Sequence, residues 1–260
     1  MTTCTIELSD TQLLRYSRHV LLNELGTGAQ EKFAASHALV IGAGGLGAPA
    51  AQFLAAAGVG TLTICDADDV DLTNLQRQIL YATQDVGSRK VDAAAARLSA
   101  INPEICIERV AQRVGARELV PLVQAADVVL DCSDNFETRH AVNAACVRAR
   151  KPLVSGAAVR FDGQVAVFDA RDESAPCYHC LFGEGEELEE TRCATMGVFA
   201  PLVGIVGSMQ AAEALKILAG VGETLRGRFL IVDALGMRIR ELAVPRDPSC
   251  PVCGMREACK

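Results

Sequence analysis

The clearest hydrophobic pattern begins at Leu39-Val40-Ile41, a short apolar run that breaks into Gly42, Gly44 and Gly47 and then continues as alanine-rich sequence toward Gly58. A run too short for a helix, followed by glycines and then by helical spacing, predicts a strand that turns tightly into a helix from Leu46 to about Gly58. Thr61 to Cys65 predicts a second strand, ending in Asp66, Asp68 and Asp69. An alanine-rich helix follows from about Lys90 to Ala100, stopped by Asn102-Pro103, and a third strand from Ile105 to Val110. Asp127-Val-Val-Leu-Asp131 reads as a central parallel strand, apolar because it is covered on both faces. Ahead of all of these, Ser9 and Gln12 have capping-box spacing before Leu13, Leu14, Val20 and Leu21, which predicts an N-terminal helix carrying Arg15 and Arg18.

Beyond Lys151 the pattern changes. Pro152 to Ser155 and Gln164 to Phe168 are strand-like without a long helix between them, and Phe229 to Val232 and Ile239 to Val244 are two further strand candidates. The expected fold is therefore α/β: a Rossmann-like, doubly wound sheet, mostly parallel with antiparallel C-terminal strands, plus a small zinc-binding tail. We expect a single domain over 1–260, with halves at about 9–150 and about 151–260. Pro201 to Gly220 is the most apolar helix candidate, but Ser208, Gln210, Glu213 and Lys216 interrupt it, so a buried or interface helix is expected and no membrane partner. Glu184, Glu186, Glu187, Glu189 and Glu190 form an acidic run that reads as a solvated loop.

Composition narrows the function classes. Half of the 260 residues are hydrophobic, enough for a full core, and the formal charge is −7. No basic stripe is visible, which argues against a nucleic-acid partner. The first ten residues carry neither a positive n-region nor an apolar h-region, so a cytoplasmic protein is expected. Eleven cysteines in such a setting point to reduced thiols and metal ligation.

The glycine run places helix N–H groups where an anion can sit, and Asp66, 24 residues beyond Gly42, suits ribose hydroxyls. That much also fits NAD or FAD. Arg77 and Lys90 follow within one unit, and Asp134 ends a neighbouring strand, so two cations and a carboxylate share the edge of the sheet where α/β ligands gather. Cleaving a triphosphate needs positive charge over the leaving pyrophosphate and a carboxylate for Mg2+, which this set can supply. The alternative is ordinary surface ion pairing of the same residues.

Two C-x-x-C pairs, Cys177 with Cys180 and Cys250 with Cys253, can present four thiolates to Zn2+, and a site filled by cysteine has no open position for substrate. Cys193, beside Arg192, is a candidate nucleophile for sulfur transfer, with a buried inert thiol as its alternative.

Gly42 to Gly47, Asp66, Thr73-Asn74-Leu75-Gln76-Arg77, Lys90, Asp131 to Asn135, Ser155-Gly-Ala-Ala158 and the two cysteine pairs together resemble the MoeB/ThiF/HesA family, relatives of the ubiquitin-activating enzymes. The resemblance implies a homodimer that uses Mg·ATP to adenylate the C-terminal glycine of a ubiquitin-like sulfur-carrier protein and releases pyrophosphate, with a nucleotide-binding half at about 9–150 and a carrier-binding half with a zinc knuckle at about 151–260. It implies that Gly45 and Asp66 hold the nucleotide, that the Thr73 to Arg77 run and Lys90 contact it, with Asn74, Arg77 and Lys90 on the phosphates, and that Asp134 and Asn135 lie at the metal and α-phosphate. By the same resemblance Arg18 reaches into the partner's site, and an external sulfur donor serves the activated carrier. Gly156 to Gly163 is similar to the molybdopterin-synthase branch, and parts of the nucleotide half to the thiamine branch. A tRNA-modifying dehydratase, an NAD-dependent reductase and a non-catalytic zinc scaffold are the competing readings.

Overall fold

The computed structural model describes residues 7–183 and 196–254. Its elements in chain order are α1 (Asp10–Arg15), α2 (Ser17–Val20), α3 (Gly26–Ala35), β1 (His37–Ile41), α4 (Gly47–Ala57), β2 (Thr61–Cys65), α5 (Lys90–Ile101), β3 (Cys106–Val110), α6 (Ala116–Ala125), β4 (Val128–Asp131), α7 (Phe136–Ala149), β5 (Pro152–Val159), β6 (Asp162–Asp169), α8 (Tyr178–Leu181), α9 (Ala200–Ala219), β7 (Arg228–Asp233) and β8 (Arg238–Ala243).

The strands form one eight-stranded sheet in the order β3-β2-β1-β4-β5-β6-β7-β8. The first five are parallel, and β6, β7 and β8 each run antiparallel to the strand before. Side chains alternate across the sheet, so Ala38 and Val40 of β1 enter the core beneath α4, α5 and α9, while Leu39 and Ile41 enter the core beneath α6 and α7. Burial on both faces explains the uninterrupted apolar runs of β1 and β4. The strand order reverses between β1 and β4, where β1 pairs with β2 on one side and β4 on the other. Ligand crevices open at such a point, beyond the carboxyl ends of the strands.

Several expectations change in detail. The N-terminal helix is three helices: α1 keeps the Ser9–Gln12 capping box, the chain breaks at Tyr16, and α3 was not anticipated. Tyr16 is buried, its hydroxyl accepting from Asn102 Nδ2 at 2.8 Å, and that anchorage redirects the chain. The predicted strands at 152–155 and 164–168 lengthen into a hairpin in which Val159 pairs with Asp162. Helix α9 is long and apolar enough to cross a membrane by length and composition alone, yet it packs on α4, β5 and β6 with ten residues buried. It is a core helix of this fold. The acidic run at 184–190 and Cys193 lie outside the described residues.

Candidate nucleotide site and cysteine cluster

The glycine turn leaves β1 at Gly42, whose N–H donates to the Cys65 carbonyl at 2.8 Å. Gly42 has φ +92°, and a side chain there would sit 2.7 Å from the Cys132 carbonyl oxygen. A side chain at Gly47 would collide with the Gly42 carbonyl oxygen, so only glycine lets the loop close onto the start of α4. Asp66, just past β2, accepts the Ala43 N–H at 2.8 Å through Oδ2 and the Asp68 N–H at 2.9 Å through Oδ1. From the other side the Tyr81 hydroxyl donates to the Ala43 carbonyl at 2.7 Å. Burial, followed by the nearby Asp66 and Asp85 carboxylates, pushes the Tyr81 phenol well above its ordinary value, so it stays a donor.

Lys90 opens α5 and is only 5% exposed. Its Nζ lies 2.8 Å from Asp68 Oδ2 and 3.9 Å from Asp66 Oδ1. The side chain of Asp68 is 69% exposed, so a phosphate can take its place on Lys90 while Asp68 returns to water. Arg77 donates to the Thr73 carbonyl at 3.2 Å. The turn beneath it is fixed by Asp71, whose Oδ1 accepts from the Thr73 hydroxyl at 2.6 Å and the Thr73 N–H at 2.8 Å. Those two bonds, the hydroxyl first, hold the Asp71 carboxyl below the usual range.

At the end of β4 the buried Asp131 accepts from both the hydroxyl (2.6 Å) and the N–H (3.0 Å) of Ser133, and Arg139 donates to the Ser133 carbonyl at 2.6 Å. Asn135 is the N-cap of α7, accepting the Thr138 N–H at 2.9 Å, and its Nδ2 donates to Asp134 Oδ1 at 3.3 Å. Asp134 is exposed. The structure thus joins the glycine loop, Asp66 and Lys90 by direct contact and sets Asp134 and Asn135 at the same sheet edge. No hydrogen bond or ion pair links Asp134 to Arg77 or Lys90 among the described residues. Gly45 lies against Val203 of α9, and Asn74 and Leu75 are half-buried while Thr73 and Gln76 are exposed.

Sequence reasoning missed Tyr81, Asp68 and Gln210. Gln210 is fully buried on α9, where its Nε2 donates to the carbonyls of Asp131 (2.8 Å) and Val154 (3.2 Å), tying the ends of β4 and β5 together. Its signal was present as a polar break in an apolar helix. Arg18, on α2, is exposed and has no partner among the described residues; Leu14 and Leu21 beside it are 77% and 72% exposed.

The four cysteines of the two C-x-x-C pairs meet as expected. Their Sγ atoms all lie within 4.8 Å of one another, with Cys177, Cys250 and Cys253 buried and Cys180 half-buried. Asn143 of α7 donates to Cys177 Sγ at 3.6 Å and accepts the Tyr178 N–H at 2.9 Å. Four convergent soft donors from two tight turns fit Zn2+, and nothing in the set fits a hard oxygen-seeking cation. Of the thiols near the glycine loop, Cys65 is pushed up to about 12 by burial and then by Asp66, and burial also raises Cys132. Neither is a nucleophile at neutral pH.

A cavity of about 480 Å³ opens at the opposite, N-terminal end of the sheet, bordered by Lys32, Asp127, Arg150 and Arg171. These cations are already engaged by the Ala219 carbonyl, Glu173 and Asp169, and no predicted site residue lines the cavity.

Residues 16–252 match the ThiF family. Molybdopterin-synthase adenylyltransferase of Escherichia coli (strain K12) is 46% identical over 251 residues, covering 95% of this chain and 99% of the relative. Sulfur carrier protein ThiS adenylyltransferase of the same organism is 45% identical over 247 residues, covering 95% and 97%. Among solved structures, Escherichia coli MccB with ATP superposes with a TM-score of 0.82 at 26% identity, over 95% of this chain and 75% of that one.

Proposed function

Because the chain belongs to the ThiF family, we propose that it uses ATP to adenylate the C-terminal glycine of a ubiquitin-like sulfur-carrier protein. The observation that carries this reading is the coincidence of near full-length similarity to two sulfur-carrier adenylyltransferases with a clamped glycine loop that Asp66 links to Lys90. MccB, solved with ATP, supports ATP as the nucleotide.

The ribose lies against Asp66, the phosphates run over the glycine loop and the start of α4 at Gly45 and Gly47, and the segment Thr73 to Arg77 closes over them. Lys90 exchanges Asp68 for phosphate oxygens. A carboxylate oxygen of the carrier attacks the α-phosphorus, the bond from that phosphorus to the bridging oxygen breaks, and pyrophosphate leaves with the electron pair. No protein nucleophile enters this step. Arg77 and Lys90 lower its barrier by meeting negative charge that grows on the leaving group, in positions already held by Thr73 and Asp68. The exposed carboxylate of Asp134, steadied by Asn135, suits Mg2+, which would supply further positive charge to the triphosphate. The cysteine cluster is read as a structural zinc knuckle of the carrier-binding half.

Arg18, exposed on α2 between the exposed Leu14 and Leu21 in sequence, suits a homodimer in which it crosses into the neighbouring site. The reading includes a cytoplasmic protein served by an external sulfur donor. The molybdopterin branch is the main reading. Adenylation of a ThiS-like carrier is the second, favoured by a nearly equal identity. ATP–pyrophosphate exchange run with a molybdopterin-synthase carrier subunit and with a ThiS-like carrier tests both. Exchange that depends on the carrier's terminal glycine is expected with the first. Exchange with the second alone transfers the assignment to the thiamine branch, and exchange with neither removes the proposal.

A further inference from the structure

Gln78 lies just past the Thr73 to Arg77 run and is only 3% exposed. Its backbone is committed: its N–H donates to the Asn74 carbonyl at 2.9 Å, and its carbonyl accepts from the Tyr81 N–H at 3.1 Å. Its side chain is not. The Oε1 atom is buried with no hydrogen-bond partner, and no bond from Nε2 occurs among the described residues. The amide nitrogen points at the glycine loop, 3.5 Å from where a Cβ on Gly44 would stand. Three residues further on, Tyr81 holds the carbonyl of Ala43, so the short stretch from Gln78 to Tyr81 lies directly on the loop.

A buried acceptor with nothing to bond, as Oε1 is, costs stability, and the donor Nε2 beside it has no partner among the described residues and lies against the loop. The other orphaned glutamine, Gln30, differs in that its Nε2 donates to the Ala57 carbonyl at 2.8 Å, far from this loop in the fold. Phosphate oxygens are acceptors only, and the atom Gln78 turns toward the loop is a donor. We propose that Gln78 contacts the nucleotide, its carboxamide donating to a phosphate oxygen where the triphosphate crosses Gly44. This rests on the nucleotide reading above and adds a residue to it. No hydrogen bond ties the amide to the described residues, so it can meet the phosphate without breaking one. The Nε2 donor, which no group among the described residues accepts from, thereby gains an acceptor when the nucleotide arrives, while the buried Oε1 is left as it is.

Gln78→Met, which keeps length and volume and removes the polar atoms, separates this role from a structural one. Calorimetric titration is run on wild type and variant with ATP and, separately, with adenosine, and the thermal midpoint of each ligand-free protein is recorded. The variant should melt at or above the wild-type midpoint, because an unanswered polar group is gone. Its affinity for ATP should fall about tenfold to a hundredfold, the range for losing a hydrogen bond to a charged group, with adenosine binding unchanged. A lowered midpoint with unchanged ATP affinity would make Gln78 a packing residue and overturn the proposal. Equal losses for ATP and adenosine would overturn the phosphate contact. If Gln78→Met does not fold, Gln78→Glu gives the same reading, since a carboxylate in that place repels phosphate but not adenosine; undiminished ATP binding by it overturns the proposal too. Wild type that fails to bind ATP refutes the nucleotide reading itself, and that outcome is distinguishable from all of these.

Discussion

The glycine-loop corner and the cysteine corner are joined by one helix and differ in where their polar groups point. Helix α7 has its N-cap Asn135 beside Asp134 at the first corner, and carries Asn143 and Val147 against the thiols of the second. At the cysteine corner every donor faces another: the Sγ atoms converge, burial raises Cys177 and Cys180, and burial at Cys250 is outweighed by the backbone N–H groups of Cys253 and Val252, which lower it. At the glycine corner the groups are held from behind and left open in front. Asp66 and Tyr81 grip Ala43, Asp71 fixes the turn under Arg77, and Asn135 steadies Asp134, while the carboxylates of Asp134 and Asp68 meet solvent. A closed set of ligands holds structure together, whereas a braced but unanswered set is prepared for something that comes and goes.

Each side of that contrast can be broken separately. The largest effect expected is on stability: Cys253→Ser should release the metal and cost about 4 kcal/mol or more, because structural zinc contributes directly to folding. Elemental analysis should fall from one zinc per chain toward none, with a lowered melting temperature; wild type without zinc would contradict it. Next is Asp134→Ala, which should slow pyrophosphate exchange ~100-fold to 1000-fold, ~3 to 4 kcal/mol, while leaving zinc content and melting temperature in place. Near-normal exchange would take Asp134 out of the mechanism.

Asn143→Ala sharpens the comparison, because Asn143 supports the cysteine corner without being a ligand. Removing it leaves the Tyr178 N–H without its acceptor and should destabilise the fold by about 1 to 3 kcal/mol in urea melts, with exchange per folded molecule unchanged. An equal fall in exchange would show that α7 transmits strain between the corners. The smallest effect is a recovery. If Arg18 serves the neighbouring site, Arg18→Ala and Asp134→Ala proteins mixed and re-equilibrated should regain about a quarter of wild-type exchange, since half the dimers are mixed and each has one intact site of two. No recovery in confirmed mixed dimers of the two inactive proteins would place Arg18 in its own chain's site.

Much of this was legible in the sequence for local reasons. The loop from Gly42 to Gly47 can be read because its backbone tolerates no side chain at two of its positions, and the cysteine cluster because two short turns fix the spacing of their own ligands. Strands β1 and β4 could be read from unbroken apolar runs, and β2 from a short run that alternates threonine with apolar residues. What escaped depends on distant partners. Helix α3, with two glycines, is held by Gln30 on the Ala57 carbonyl and by Phe33 packed near Ala219, contacts that no local pattern announces. The hairpin between β5 and β6 turns at Arg160, with φ +54°, where a glycine or asparagine would have marked the turn. Gln210 and Gln78 acquire their meaning only when α9 and the segment after Arg77 close on the strand ends.

The central claim is that AMP is transferred to the carrier at the glycine corner without passing through a thiol of this protein. Intact-mass spectrometry of both proteins, after mixing zinc-loaded enzyme with Mg·ATP and a molybdopterin-synthase carrier subunit, tests that claim most directly. The account predicts an AMP adduct on the carrier alone, absent when the carrier lacks its terminal glycine or when the enzyme carries Asp134→Ala. An AMP adduct on the enzyme itself, or an unchanged adduct on the carrier with Asp134→Ala, would contradict it.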